Sequence, residues 1–487
     1  MSDELCFASV DRLEQLIARR EVSVEEVVRA SLEQIERLDP AVNAVVALRS
    51  EAALAEARAA DRASASGGPP ASGGDPIAGP LHGIPFTVKD VTETLDLPTT
   101  YGSVAFAGHR SEFDAVIVTR LRAAGAILVG KTNTSELACE PVTRGELLGD
   151  TVNPWAPERT PGGSSGGAAA GLATGMFTLA LGTDAGGSIR IPAACCGVVG
   201  IKPTRGLVTF EPMARDPWGG LLHNGPLARS CRDTAAMLDV IADRSQSCRA
   251  ACERPLKPLR VACSSHLDGG TLDPEVATAF ADTVKLLEEL GLEIVEDHPD
   301  VSALPELFAT IAEAAFAAIG EELSDDQLSR VGLSVLQLTR RGWRISAADY
   351  CVALQSAYRE SLRIMRFWDG CDVLVTPTVP WTPPLRAVFP STEDYDAKWS
   401  EYGVWEAFTS PWNVTGQPAI SLPCPALTAP GLPVGLQLVG RCGAEAQLFT
   451  LAAAYEAAAG WDDRRPALAT GVGTYEPDAR AGAPASP

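Results

Sequence analysis

Short apolar and β-branched runs alternate with stretches of helical periodicity from residue 81 to 263, and again from 371 to 467. The runs are Phe86–Val88, Ala126–Val129, Thr178–Leu181, Arg260–Ala262, Val373–Val375, Ala419–Leu422 and Leu436–Val439. Runs this apolar, spaced by helix-length segments, predict strands covered on both faces. The expected class is α/β, with a mixed, largely parallel central sheet flanked by helices.

Ahead of this core, Ser23-Val24-Glu25-Glu26 reads as a capping box, in which the Ser23 hydroxyl accepts from the Glu26 amide and Glu26 reaches back. Val24, Val27, Val28, Ile35 and Leu38 follow at helical spacing, and Asp39-Pro40 is expected to end that helix. An Ala-rich helix then extends to about Arg62. Residues 1–66 are therefore expected to form a helical arm laid against the main body, joined to it by a Gly/Pro/Ser linker over 67–80. Residues 264–370 turn helical and acidic, the pattern of an insertion packed beside the sheet and a candidate lid. The Gly/Ala/Pro-rich tail, 468–487, has too little to bury to fold.

Composition sharpens this outline. The 487 residues are 46% hydrophobic and 21% charged, enough for a large core. The net charge of −22 argues against nucleic acid and anionic membrane surfaces, which need Lys and Arg. Twelve acids and no Lys or Arg lie between Glu288 and Asp326, as on a solvated face. Two other stretches are nearly free of charge. The 42 residues from Thr160 to Ile201 hold only Asp184 and Arg190, and the 34 from Ala407 to Gly440 hold none. Gly and Pro interrupt both, so they predict buried core and not membrane spans. The start lacks the pattern of a signal peptide, and the 12 cysteines are scattered without a Cys-x-x-Cys, so a reduced, cytoplasmic protein is expected. Five histidines, none at metal-ligand spacing, offer no metal motif, and the base of a hydrolase built on this chain need not be a histidine.

A hydrolase without a usable histidine needs another base. Lys89 follows the run Phe86–Val88, at the carboxyl end of a strand, where open α/β sheets place their sites. A Lys-Asp pair there is usually a surface salt bridge. A buried lysine, however, is neutralised by desolvation, and lowering its pKa from ~10.4 to ~7.5 costs roughly 4 kcal/mol. The run Gly162-Gly163-Ser164-Ser165-Gly166-Gly167 lacks the lysine of a phosphate cradle and the preceding strand of a nucleophile elbow. A flexible linker fits poorly too, because apolar core follows. Twenty-four residues beyond Ser164, Gly186-Gly187-Ser188 follows a strand end, and its glycines let successive N–H groups converge as an oxyanion hole requires. Asp184 and Arg190, alone in an apolar stretch, are paired or used.

These motifs resemble the amidase signature family. So do Leu81–Pro85, Gly130–Asn133, Asn153–Trp155, Cys196-Gly197, Lys202–Thr204, Gly225–Arg229 and Asn413–Ala419, which extend the resemblance from about Leu81 to Glu456. It implies a Ser–cis-Ser–Lys triad with Ser188 as nucleophile, Ser164 after a cis peptide bond, and Lys89 as base. It also implies an oxyanion hole from the backbone amides of Ala185, Gly186, Gly187 and Ser188, supported by Ser165, Thr183, Asp184 and Arg190. No cofactor or metal is implied. The expected enzyme is a stand-alone amidase, monomer or homodimer, acting on small neutral linear amides, with carbamates, urethanes and esters as further substrates and aryl acylamidase-like or urethanase-like in type. The alternative is the glutaminase component of a tRNA-dependent amidotransferase complex. Such components carry Gln after the signature Arg, where this chain has Ile191, and a Ser-Arg-Tyr-Gly-like continuation where it has Val208–Pro212. A membrane-bound fatty-acid amide hydrolase lacks its spanning helix here, and a non-enzymatic scaffold would not need all three triad positions filled. Phe308, Phe316, Trp343, Tyr350, Trp381, Trp405 and Trp412 are candidates for pocket wall or core.

Overall fold

The computed structural model describes residues 2–66, 79–212, 218–244, 247–267 and 271–470. Among them, eleven strands form one sheet: β1 (Val45–Leu48), β2 (Pro85–Lys89), β3 (Ile127–Thr132), β4 (Leu179–Asp184), β5 (Val199–Lys202), β6 (His223–Ala228), β7 (Arg260–Cys263), β8 (Glu293–Glu296), β9 (Val373–Pro377), β10 (Ala419–Pro423) and β11 (Gly435–Val439). Their spatial order is β1-β3-β2-β4-β6-β5-β10-β11-β9-β7-β8.

Each of the seven apolar runs becomes a strand, and side-chain alternation shows why. On β4, Leu179 and Leu181 enter one core while Ala180 enters the core on the opposite face. On β3, Leu128 goes one way, Ile127 and Val129 the other. The helices Val116–Ala123, Cys231–Ile241 and Glu445–Ala459 cover the first face. Val24–Val42, Gly166–Ala173 and Arg190–Cys196 cover the second. Burying one Phe or Leu side chain in such a layer contributes about 1.5–3 kcal/mol.

The sheet is mixed, but the expectation that it is largely parallel is corrected. Only β3–β2–β4 and β9–β7–β8 run parallel, and the six remaining neighbour pairs are antiparallel. A continuous apolar run reports cover on both faces, and says nothing of a neighbour's direction. Three of the six antiparallel pairs involve β5 and β6, whose Val-Gly-Ile-Lys and His-Asn-Gly-Pro-Leu-Ala sequences carry little strand signal.

The capping box at Ser23 is formed in full, but the helix runs past Pro40 to Val42. Asp39 closes it instead: its carbonyl accepts from the Asn43 amide, and its Oδ1 from the amides of Ala44 and Val45. Between 264 and 370 lie the helices Pro274–Glu289, Leu304–Glu322, Asp325–Arg330, Leu333–Gly342 and Ala347–Met365, together with edge strand β8. Of the twelve acids from Glu288 to Asp326 all but Glu313 are exposed, and Glu313 pairs with Arg341 at 3.0 Å. Most of the expected linker (67–78) and tail (471–487) lie outside the described residues.

Candidate active site

Parallel β2 and β4 end at the same edge of the sheet, which brings Lys89 beside Thr183. Lys89 Nζ lies 2.9 Å from Thr183 Oγ1 and 2.6 Å from Ser164 Oγ. Lys89 and Ser164 are both fully buried. Burial pushes the Lys89 ammonium down to about 7, with the Asp184 carboxylate pulling weakly the other way. Burial therefore favours the unprotonated amine.

Ser164 sits on the turn before the helix Gly166–Ala173, and the Gly163–Ser164 peptide bond is cis. A Cβ on Gly163 would come within 2.5 Å of the Val142 backbone, so only glycine fits. Thr143 Oγ1 donates to the Gly162 carbonyl at 2.9 Å and accepts from the Gly166 amide at 2.9 Å, bracing both ends of the turn. Ser165 couples this turn to the second loop. Its amide donates to the Ser188 carbonyl at 3.1 Å, and its hydroxyl to the Thr183 carbonyl at 3.2 Å.

The second loop, Ala185–Ile189, links β4 to the helix Arg190–Cys196. Gly187 has φ +139°, and a Cβ there would meet Thr409 Oγ1 at 2.4 Å. Thr409 Oγ1 donates to the Gly186 carbonyl at 2.6 Å, fixing that peptide in the loop. Phe308 and Glu406 flank Gly186. Ser188 retains 8% exposure, against none for Lys89 and Ser164.

Asp184 and Arg190 pair with each other, both fully buried, through contacts of 2.8 and 3.0 Å. The second charge-free stretch supplies the remaining partners. Arg190 donates to the Thr409 carbonyl (2.8 Å), Gln437 Oε1 (2.8 Å) and Asn413 Oδ1 (2.6 Å), while Asn413 Nδ2 donates back to Asp184 Oδ1 at 2.8 Å. Burial opposes ionisation of Asp184, but the guanidinium and these hydrogen bonds hold its carboxyl well below the usual range. Asp184 also accepts from the Ile189 amide at 3.1 Å, anchoring the loop after Ser188. The two charge-poor stretches are thus two walls around one ion pair.

Every sequence-predicted site residue lies in this one cluster. Sequence reasoning did not single out Thr143, Thr409 or Gln437. A polar side chain inside an apolar, charge-free stretch must find a partner, and that signal was present for Thr409 and Gln437.

A cavity of ≈330 Å³ opens beside the cluster and reaches Thr183. Its walls include Tyr101, Phe106, Phe113 and Trp218, none of them among the seven aromatics considered from sequence. Phe316 stacks edge-on behind Trp218 at 4.7 Å, and Trp405 and Trp412 are core. Among the described residues there is no cluster of His, Cys, Asp and Glu able to hold a metal, and no helix is long and apolar enough to cross a membrane.

The chain matches the family model described as Amidase over residues 26–449. It is 35% identical to an acylamidase of Rhodococcus erythropolis over 479 residues, 95% of this chain and 98% of that protein. It is 33% identical to the 6-aminohexanoate-cyclic-dimer hydrolase of Paenarthrobacter ureafaciens, over 93% of this chain and 95% of that one. The solved structure of 6-aminohexanoate cyclic dimer hydrolase complexed with substrate superposes with a TM-score of 0.86 at 30% identity, covering 95% of this chain and 99% of that chain. With the family pattern running along nearly its whole length, this chain belongs to the amidase signature family, hydrolases that act on carbon–nitrogen bonds.

Proposed function

We propose that the chain hydrolyses the C–N bond of neutral linear amides through an acyl-enzyme on Ser188, with Ser164 and Lys89 relaying the proton. The observation that carries this reading is a fully buried lysine 2.6 Å from a serine hydroxyl, shifted toward its neutral form. In the first step Ser188 gives its proton to Ser164 as Ser164 gives its own to neutral Lys89, and Ser188 Oγ attacks the amide carbonyl carbon. The backbone amides of Ala185, Gly186, Gly187 and Ser188 receive the oxyanion. The relay then reverses: Lys89 returns its proton to Ser164, Ser164 protonates the departing nitrogen, and the C–N bond breaks. Water repeats the sequence on the Ser188 ester, releasing the acid. Carbamates, urethanes and esters present the same carbonyl and are proposed as further substrates.

The cavity supports an amide without a carboxylate over glutamine. Among the described residues its lining contains Glu93, Glu211 and Glu322 but no Lys or Arg to pair with a substrate carboxylate. We propose a stand-alone cytoplasmic enzyme, monomer or homodimer, acting on small molecules without a cofactor. The unpaired state of all twelve cysteines supports a reducing compartment.

The test is a panel of aryl acylamides, primary aliphatic amides, carbamates, esters and glutamine, with mass spectrometry of the stalled acyl-enzyme. A stoichiometric adduct on Ser188 from an anilide is expected. A clear preference for glutamine with ammonia release, or an adduct elsewhere, overturns the reading.

A further inference from the structure

The cavity beside Thr183 has aromatic and aliphatic walls, and among its polar lining groups is one buried carboxylate that the hydrolytic steps do not use. Glu93 lines it and is only 6% exposed. Its Oε1 accepts from the Tyr101 hydroxyl and lies 3.0 Å from His109 Nε2. Its other oxygen, Oε2, is buried with no partner among the described residues. A buried carboxylate oxygen without a donor is costly, and such a group persists where it serves a ligand.

The backbone around it is held in an unfavourable form. Tyr101 (φ +53°), Leu137 (φ +47°) and Ala138 (φ +58°) all line the cavity, and they are three of the six non-glycine residues with positive φ among those described. The Leu137 amide donates to the Tyr101 carbonyl at 2.7 Å, locking two of them together. Left-handed backbone at non-glycine residues is disfavoured and gathers at ligand sites. Here it fixes the Tyr101 ring, and through its hydroxyl the Glu93 carboxylate.

We propose that Glu93 is the recognition acceptor of this cavity, and that the protein takes amides whose apolar chain ends in a primary ammonium group. The proposal rests on amide hydrolysis at Ser188 and extends its substrates beyond neutral amides. An ammonium in the cavity neutralises the Glu93 carboxylate in a largely apolar wall, where charge-assisted hydrogen bonds are strong. Glu211 and Glu322, also in the lining, add attraction of the same sign. The aromatic and aliphatic walls hold the chain that carries the charge.

Calorimetry with n-hexylammonium and n-hexanol tests this without turnover. The wild-type protein is expected to bind the ammonium roughly tenfold or more tighter than the alcohol, as for a hydrogen bond to a charged group. Glu93→Gln keeps the shape of the side chain and should erase that difference. Phe113→Lys, at a half-exposed wall position, should weaken the ammonium selectively, and it serves as the second variant if Glu93→Gln does not fold by circular dichroism. Equal binding of the two probes, or a preference that survives the variant, overturns the proposal. Acylation of Ser188 by an anilide without ammonium preference defeats this inference alone. Ammonium binding through Glu93 without a Ser188 adduct defeats the hydrolytic reading alone.

Discussion

Two buried lysines stand on neighbouring strands, Lys89 ending β2 and Lys131 on β3, and neither reaches solvent. Lys131 Nζ donates to the Thr92 carbonyl (2.5 Å) and Thr99 Oγ1 (2.7 Å), and faces the Asp90 carboxylate at 3.7 Å. Among the described residues, Lys89 Nζ hydrogen-bonds two hydroxyls, those of Ser164 and Thr183. Burial pushes both downward, Lys131 to about 8 against the pull of Asp90 and Lys89 to about 7. Burial alone therefore does not make a base. Carbonyl and carboxylate oxygens only accept, so they want an ammonium. A hydroxyl also donates, so it accommodates either form of the amine and can pass a proton on.

Removing each lysine should have opposite consequences. Lys89→Ala is expected to lower kcat/KM about a thousandfold or more while the fold survives, because a proton-relay group is lost. Steady-state kinetics beside circular dichroism checks this, and a Lys89→Ala protein of near-normal turnover would sink the assignment. Lys131→Met strands the Asp90 carboxylate in the core and should cost about 3–5 kcal/mol of stability, seen in urea unfolding, with turnover per folded molecule largely kept.

Titration separates the two further. In the proposed mechanism Lys89 acts while neutral, so kcat/KM should rise as pH increases through about 7 and then level off. A flat profile between pH 6 and 8 speaks against Lys89. The stability term has the same direction. The folded-state pKa lies below the unfolded one, so between about 7 and ~10.4 the unfolded chain binds the extra proton and this group's contribution improves as pH rises. The smallest effect belongs to Thr183→Val, which deletes one of the two hydroxyls at Lys89 and should reduce kcat by roughly two- to tenfold, the size of one ordinary hydrogen bond.

Much of the scaffold was legible along the chain. Apolar runs located seven strands because burial on both faces leaves no room for polar alternation, as Leu179, Ala180 and Leu181 illustrate. Strands β1, β5, β6 and β8 escaped: β1, inside the expected helical arm, and β8 are four-residue edge strands, while Gly200, Gly225 and Pro226 of β5 and β6 carry no strand signal and owe their place to neighbours on either side. With them went the direction of half the sheet. At the site, Ser164, Ser188 and Lys89 were singled out through the family resemblance of their motifs, and Asp184 and Arg190 through their isolation. Glu93 was not found, because its significance lies in a cavity gathered from distant segments.

The layered α/β plan, the charge-poor stretches that must be buried, and the short list of residues able to do chemistry are written in the sequence alone. These follow from local composition, which measures how much of a segment tolerates water. The partners of each buried lysine, Ser164 and Thr183 for Lys89 and Thr92, Thr99 and Asp90 for Lys131, come from the three-dimensional packing. Lys89 and Lys131 both lie in apolar strand surroundings, and their partners come from elsewhere: Ser164 lies 75 residues beyond Lys89, and Asp184 and Arg190 are completed by Asn413 and Gln437. Acceptor or donor character at 3 Å depends on which chain segments pack together, and packing is a property of the whole fold.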